Sequence, residues 1–306
     1  MKTTVIILTS GTADRHILIK GLLRSLARQS VKPSEVVIAT ETAGEELAKI
    51  ASEYLGNIDF RVTETGYWNK CWTANKAILE SKGDIVFLLE DDLYLAPNFI
   101  EEVLKTFEEY PEAGCVYTKC IWVFREGVRS EGGLIGWLAK TLSKLSVHES
   151  VLPKMVKKIN DHLAEISVFT MSVACRKKVL LKAGLYDIKV KEPLLGEDYD
   201  LALRIRKMGY KIIQTTRAVS YHLTKQVSKG IIKYSKDPAK LMGTYETEVY
   251  FVVKNRDVLG TVNVINHATY RVIEAVAWGI RSRSLSTTFY GVAGSIKGFI
   301  KGITYA

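Results

Sequence analysis

The first hundred residues switch repeatedly between two hydrophobic periods, and this alternation restricts the fold more than any other feature of the chain. Residues 4–8 form a short β-branched run, 17–29 carry Leu18, Leu22 and Leu26 at helical spacing, and 36–39 read as a strand. A helical pattern follows at 45–54, a strand at 58–62, a helix at 72–79 and a strand at 85–89. Strands of period two alternating with helices of period 3.6 predict an α/β fold with a mostly parallel sheet flanked by helices on both faces. In open sheets of this kind, ligands bind beyond the carboxyl ends of the strands.

The strand at 85–89 ends in three consecutive carboxylates, Glu90, Asp91 and Asp92, ahead of a helix beginning near Pro97. Side chains alternate across a strand, so if the extended conformation persists, Glu90 and Asp92 point one way and Asp91 the other. Two hard oxygen ligands on one face suit a divalent cation, without which the like charges raise one another's pKa. With no cysteine or histidine beside them, magnesium or manganese is favoured over zinc. Capping of the following helix by solvent-facing acids is the alternative, but a position at the carboxyl end of a parallel strand favours the metal.

The chain has 306 residues and 47% hydrophobic content, enough for one large domain with an appendage and a sizeable core. Its cysteines, Cys71, Cys115, Cys120 and Cys175, include no C-x-x-C pair, so neither a zinc site nor a disulfide framework is expected, and a reduced, cytosolic setting fits. The apolar run before Gly11 is too short for a signal peptide. No stretch of about 18 uninterrupted apolar residues occurs, which argues against a spanning helix. The net charge of +10 is concentrated in two segments: residues 120–160 hold seven Lys or Arg against three Glu, and 225–306 hold twelve against five acids.

Beyond an expected helix at 99–110 and strand at 115–118, regularity lapses. Residues 125–161 contain a glycine-rich patch, then Trp137, Leu138, Leu142 and Leu145 interleaved with Lys140 and Lys144. This spacing suits an amphipathic helix on an anionic membrane, an ordinary surface helix, or a flap over an acceptor. A β-rich run at 166–174 and a helix at 176–183 follow. In residues 194–210, Leu201, Ala202, Ile205 and Met208 share one helical face and Gly209 ends the helix. Glu197 and Asp198 therefore stand at its start, where a carboxylate stabilises the helix by roughly 0.3–1 kcal/mol and is held rigidly.

Taken in order, these residues resemble the inverting glycosyltransferases of family 2, whose fold is called GT-A. The resemblance spans about residues 3–224. It rests on Ser25-Leu26, Gln29-Ser30 and Pro33-Ser34-Glu35 before the second strand, and on Asn75 in the helix ahead of the acidic strand. Glu90-Asp91-Asp92 stands as a D-x-D-like motif, followed by Ala183-Gly184-Leu185-Tyr186-Asp187, Gly196-Glu197-Asp198-Tyr199-Asp200-Leu201, Arg204, Gly209-Tyr210 and His222. The resemblance implies that Glu90, Asp92 and His222 hold Mn2+ or Mg2+ against the diphosphate of a nucleotide sugar. It implies that Asp198 is the general base taking the acceptor hydroxyl proton, with Glu197 orienting it, and that Thr9, Glu41, Asn75 and Asp91 lie on the donor side. Two positions depart from the family. The run Ile38-Ala39-Thr40-Glu41 keeps one acid where two adjacent acids commonly read the base, so UDP-, GDP- and dTDP-sugars all remain open as donors. Ala74 stands where an arginine often precedes the asparagine, leaving Lys70 or Lys76 to face phosphate.

The expected organisation is a GT-A catalytic domain over 1–224, with a basic amphipathic insert at about 122–165, and a mostly helical C-terminal extension over 225–306. Tyr250–Arg256 resembles a segment that follows the catalytic domain in family members building lipid-linked or cell-surface polysaccharides, which implies a glycan or lipid-linked acceptor. Later apolar groups are broken by Arg271, Arg281, Arg283, Lys297 and Lys301, a pattern for lying on the cytoplasmic face of a membrane rather than crossing it; packing on the core or against a second copy is the alternative. A sugar-nucleotide pyrophosphorylase-like nucleotidyltransferase is disfavoured because no glycine-rich signature followed by arginine occurs near Gly11. A nucleic-acid partner is not expected, because the basic segments belong to no recognisable binding module.

Overall fold

The computed structural model describes all residues except 67–68, 124–140, 171, 191–195, 224–236 and 306. The elements run β1 (Thr3–Thr9), α1 (Ala13–Ala27), β2 (Glu35–Thr40), α2 (Gly44–Leu55), β3 (Phe60–Glu64), α3 (Lys70–Glu80), β4 (Ile85–Glu90), β5 (Leu93–Leu95), α4 (Phe99–Glu109) and β6 (Ala113–Trp122). After these come α5 (Val147–Ser150), β7 (Lys157–Lys158), β8 (Leu163–Glu165), β9 (Val173–Arg176), α6 (Lys177–Lys182), α7 (Glu197–Lys207) and β10 (Lys211–His222). The chain ends in α8 (Pro238–Lys254), α9 (Arg256–Leu259), α10 (Thr261–Ser282) and α11 (Leu285–Thr304). Two compact units result. One comprises Met1–Arg125, Lys157–Ile188 and Arg204–Lys225; the other comprises Glu126–Val156, Lys189–Leu203 and Gln226–Ala306.

All described strands belong to the first unit, in the order β3-β2-β1-β4-β9-β6-β10-β8-β7, with β5 added against β10. The β3-β2-β1-β4 half is wholly parallel, and β6 and β10 also run parallel. Strand β9 enters antiparallel between β4 and β6. The apolar stretches of β1, β2 and β4 are buried throughout because helices cover both faces. Helices α1, α2 and α4 turn bulky side chains inward, such as Leu22 and Leu26, Leu47 and Ile50, and Phe99 and Phe107, around the fully buried Phe87. Each such side chain adds about 1.5–3 kcal/mol by leaving water. The order 3-2-1-4 reverses between β1 and β4, which makes their carboxyl ends the switch-point crevice.

The second unit is helical. Asp237 caps α8 by accepting from the Ala239 amide at 3.0 Å, and Pro238 occupies the first turn, where its missing N–H costs nothing. Helix α8 is buried along most of its length. Helix α11 packs on it through glycines: a Cβ at Gly298 would stand 2.2 Å from the Glu246 carbonyl oxygen, and one at Gly294 would stand 2.4 Å from that of Met242.

The structure corrects three sequence expectations. The β-rich run at 166–174 is broken, because 166–170 carry no regular element and Ser172 takes a left-handed φ of 73° before β9. The amphipathic helix expected around residues 137–145 falls in part outside the described residues, which lack 137–140; residues 141–143 are helical, and α5, a 3-10 turn at Leu152–Met155 and β7 follow. Cys115 and Cys175 form a disulfide: the antiparallel entry of β9 makes them register partners despite their separation of 60 residues, a pairing that sequence spacing does not encode. Arg271, grouped above with surface-directed basic residues, is buried against Glu248 and Glu274.

Candidate functional site

Strand β4 ends at Glu90, a two-residue turn follows, and β5 then pairs antiparallel with the end of β10, with Leu93 opposite His222. This pairing carries the histidine from residue 222 to the acids at 90–92. The Leu223 amide donates to the Asp92 carbonyl at 2.9 Å and fixes the junction. His222 Nε2 lies 3.4 Å from Asp92 Oδ1 and 3.8 Å from Glu90 Oε2. One potential ligand atom from each of the three lies within 4.8 Å of the others. Two carboxylate oxygens and an imidazole nitrogen, buried except for part of Glu90, are a donor set that fits Mn2+ or Mg2+. Trp122 stacks on the His222 ring with centroids 4.0 Å apart, which restrains its orientation.

The extended conformation stops at Glu90 and residues 91–92 form a turn, so strand alternation does not govern the three acids. Asp91 is not one of the trio: it is nearly fully buried, where Arg15 from the first turn of α1 grips it with both Nε and Nη2. The same guanidinium reaches Asp92 Oδ2 at 3.1 Å. Burial pushes the Asp91 carboxyl above its ordinary range and Asp92 adds to this, while the Arg15 and Thr9 contacts oppose it. Burial likewise opposes ionisation of Glu90, but Lys70, 3.3 Å away, and His222 prevail and hold its pKa down to about 2. The neighbouring Cys120 thiol is raised first by burial and further by the charges of Glu90 and Asp92. Three carboxylates thus crowd the end of β4, a concentration of hard oxygen atoms of the kind that binds a divalent cation.

Thr9, Glu41 and the acids lie at adjoining strand ends, because Leu8 is in register with Glu90 and Thr9 with Thr40. Thr9 Oγ1 accepts from the Gly11 amide at 3.2 Å. Gly11 has φ +76°, and a Cβ there would stand 2.3 Å from the Thr42 carbonyl oxygen, so the β1–α1 loop can fold down on β2 only with glycine. Asn75 is engaged in holding the chain: its Nδ2 donates to the Tyr186 carbonyl at 2.8 Å and its Oδ1 accepts from the Tyr186 amide at 2.9 Å. Lys76 is turned toward the Glu64 carbonyl, at 3.3 Å, whereas Lys70 faces the acids.

In the second unit, Glu197 and Asp198 are buried in the first turn of α7, as the spacing predicts. Asp200 anchors that turn by accepting from Lys254 Nζ at 3.1 Å and Asn255 Nδ2 at 2.9 Å. Gly196 has φ +95°, and a Cβ there would stand 2.2 Å from the Phe251 ring, so the turn is held tightly on α8. The preceding loop around Pro193 lies outside the described residues. Sequence reading did not single out Arg15, Trp122 or Asp200 as site residues. An arginine soon after the first strand gives a faint signal for Arg15; nothing local marks Trp122, whose role depends on the pairing of β6 with β10.

Comparison with known proteins agrees with this geometry. The family described as glycosyltransferase-like family 2 matches residues 3–235. A glucosyl-dolichyl phosphate glucuronosyltransferase of Haloferax volcanii is 27% identical over 130 residues, 41% of this chain and 41% of that protein. The chain thus matches about two fifths of the length of that curated relative. Among solved structures, S. aureus TarS 1–349 in complex with UDP-GlcNAc matches at a TM-score of 0.56 and 14% identity, covering 100% of this chain and 91% of that chain. The mannosyltransferase PcManGT from Pyrobaculum calidifontis, in complex with GDP-Man and Mn2+, matches at a TM-score of 0.56 and 16% identity, covering 99% of this chain and 87% of that chain. At these identities the likeness establishes the fold, which is GT-A. With three quarters of its length matched by one family, the chain belongs to the glycosyltransferase-like family 2.

Proposed function

We propose that this glycosyltransferase moves a sugar from a nucleoside-diphosphate donor to a hydroxyl acceptor with inversion, in a metal-dependent single displacement. The observation that carries the reading is the convergence of Glu90, Asp92 and His222 at the switch point of the sheet. These three residues would hold Mn2+ or Mg2+, and the ion supplies electrostatic stabilisation of the charge that develops on the leaving diphosphate. Asp91 and Arg15 orient Asp92, while Thr9, Glu41 and Asn75 belong to the donor side, with Asn75 held by Tyr186. Asp198 takes the proton from the acceptor hydroxyl, and Glu197 orients it. Residues 1–224 are assigned to catalysis, with the basic insert at about 122–165, and 225–306 to a helical extension.

The donor is a UDP-, GDP- or dTDP-sugar. UDP-GlcNAc and GDP-Man in the two structural neighbours, and Mn2+ in one of them, support that class. A glycan or lipid-linked acceptor and peripheral contact with the cytoplasmic face of a membrane fit the name of the Haloferax relative and the basic tail. Among the described residues no helix is long and apolar enough to cross a membrane.

A thermal-shift panel of UDP, GDP, dTDP and CMP donors, each with and without Mn2+, tests the reading. A ligand at 100 times its Kd adds about 2.7 kcal/mol of stability. One nucleotide should stabilise the protein strongly only with the metal; no response to any of them would count against the proposal. Asp198→Asn should retain that response and lose about 10²–10⁴-fold in transfer rate, and full turnover by this variant would remove Asp198 from the role of base.

A further inference from the structure

Helix α11 is amphipathic in the inverted sense. The residues it buries are Gly291, Gly294, Ser295, Gly298 and Gly302. Five of its bulky residues face outward: Leu285, Phe289, Ile296, Ile300 and Ile303 are 90, 66, 53, 60 and 55% exposed. Their spacing of four, seven, four and three places them on one stripe of a 3.6-residue helix. Helix α10 repeats the pattern, with Val262, Ile265, Ile273, Val276 and Ile280 exposed at spacings of three, eight, three and four. Between the two stripes runs an apolar groove of about 320 Å³, lined by Thr269, Val272, Ile296 and Phe299 among others. Single exposed apolar residues are ordinary, but two parallel stripes with a groove between them form a patch of the kind that marks an interaction surface.

The charges around this patch select its occupant. Helix α11 contains no Asp or Glu. The single acid of α10, Glu274, is engaged by buried Arg271. Arg281 and Arg283 are exposed at the turn joining the helices, whereas Lys297 is paired with Glu246 at 2.8 Å. A second copy docked by two-fold symmetry would set like charges against one another, whereas an anionic lipid surface complements them. We propose that the outward faces of α10 and α11 dock on an anionic lipid bilayer, with an acyl chain entering the groove between them. This proposal rests on the membrane contact proposed above and specifies the face that makes it.

Flotation of the full chain with vesicles of phosphatidylcholine alone, or with phosphatidylglycerol added, tests the assignment. The wild type should float with the anionic vesicles, and Phe289→Glu with Ile300→Glu should lower partitioning on the order of 100-fold, about tenfold per large apolar side chain. Both positions are exposed, so the melting temperature without lipid and the nucleotide response should be unchanged. Arg281→Glu with Arg283→Glu should weaken binding to anionic vesicles by roughly tenfold or more. Equal flotation of wild type and the Phe289/Ile300 variant would overturn the assignment of the face and leave membrane contact standing elsewhere. Absence of wild-type flotation would overturn both readings. A wild-type dimer dissolved by the same substitutions would give the face to a second copy and overturn the proposal.

Discussion

Each unit of the protein contains a cluster of three buried or half-buried carboxylates, and the two clusters are built on opposite terms. In the helical unit, Glu246 is met by Lys297 and Lys301, and Glu248 and Glu274 by Arg271, whose guanidinium also lies 4.2 Å from the Tyr245 ring centre. Among the described residues, three acids face three permanent cations, all on helices packed together. At the strand ends, among the described residues, Glu90, Asp91 and Asp92 face two permanent cations, Arg15 and Lys70, with His222 as a third, titratable partner. The first cluster is balanced within its own helices and serves packing. The second carries an excess of negative charge at a crevice where the sheet's connectivity leaves room for a ligand, and this makes it a site.

The largest test of this contrast is Arg271→Met. It removes Arg271 from buried Glu248 and half-buried Glu274 and should cost about 3–5 kcal/mol in urea unfolding, with the metal-dependent nucleotide response intact; a loss below about 1 kcal/mol would break the comparison. Asp92→Asn should do the reverse. Removing one of three crowded acids should leave the metal-free melting temperature unchanged or higher, while the Mn2+-dependent stabilisation of about 2.7 kcal/mol by the matching nucleotide disappears. A metal response equal to wild type would exclude Asp92 as a ligand. Within the helical unit, Gly298→Val should cost about 1–3 kcal/mol, because its Cβ meets the Glu246 carbonyl, whereas Ile300→Ser on the outer face of the same helix should stay within about 0.5 kcal/mol.

The smallest effect is one of pH. Burial opposes ionisation of Glu246, but hydrogen bonds from Lys297 and Lys301 hold its carboxyl below the ordinary value of 4.5. A folded pKa below the unfolded one gives stability that is present above the unfolded value and lost as pH falls through the folded one. Because Lys297 is largely solvated, the contribution should be under about 1 kcal/mol. The stability gap between wild type and Glu246→Gln, measured by urea titration, should narrow between pH 7 and pH 4; a gap that widened on acidification would contradict the pairing.

Local periodicity by itself determined the four parallel strands β1–β4 and their helices. Alternation across a strand and repetition along a helix are properties of neighbouring residues, so the chain displays them without its partners. The start of α7 at Glu197 was legible for the same reason. Long-range pairing was decided by the tertiary structure alone. The antiparallel entry of β9, which joins Cys115 to Cys175, and the β5–β10 ladder, which brings His222 to Asp92, link residues 60 and 130 positions apart with no local signature. Arg271 escapes a reading of the tail because a basic residue in an apolar segment looks the same whether it faces solvent or two glutamates on packed helices. Helix α11 shows the limit most clearly. Its period is plain in the sequence, but which stripe faces inward depends on how closely α8 approaches, and at that distance only glycine fits.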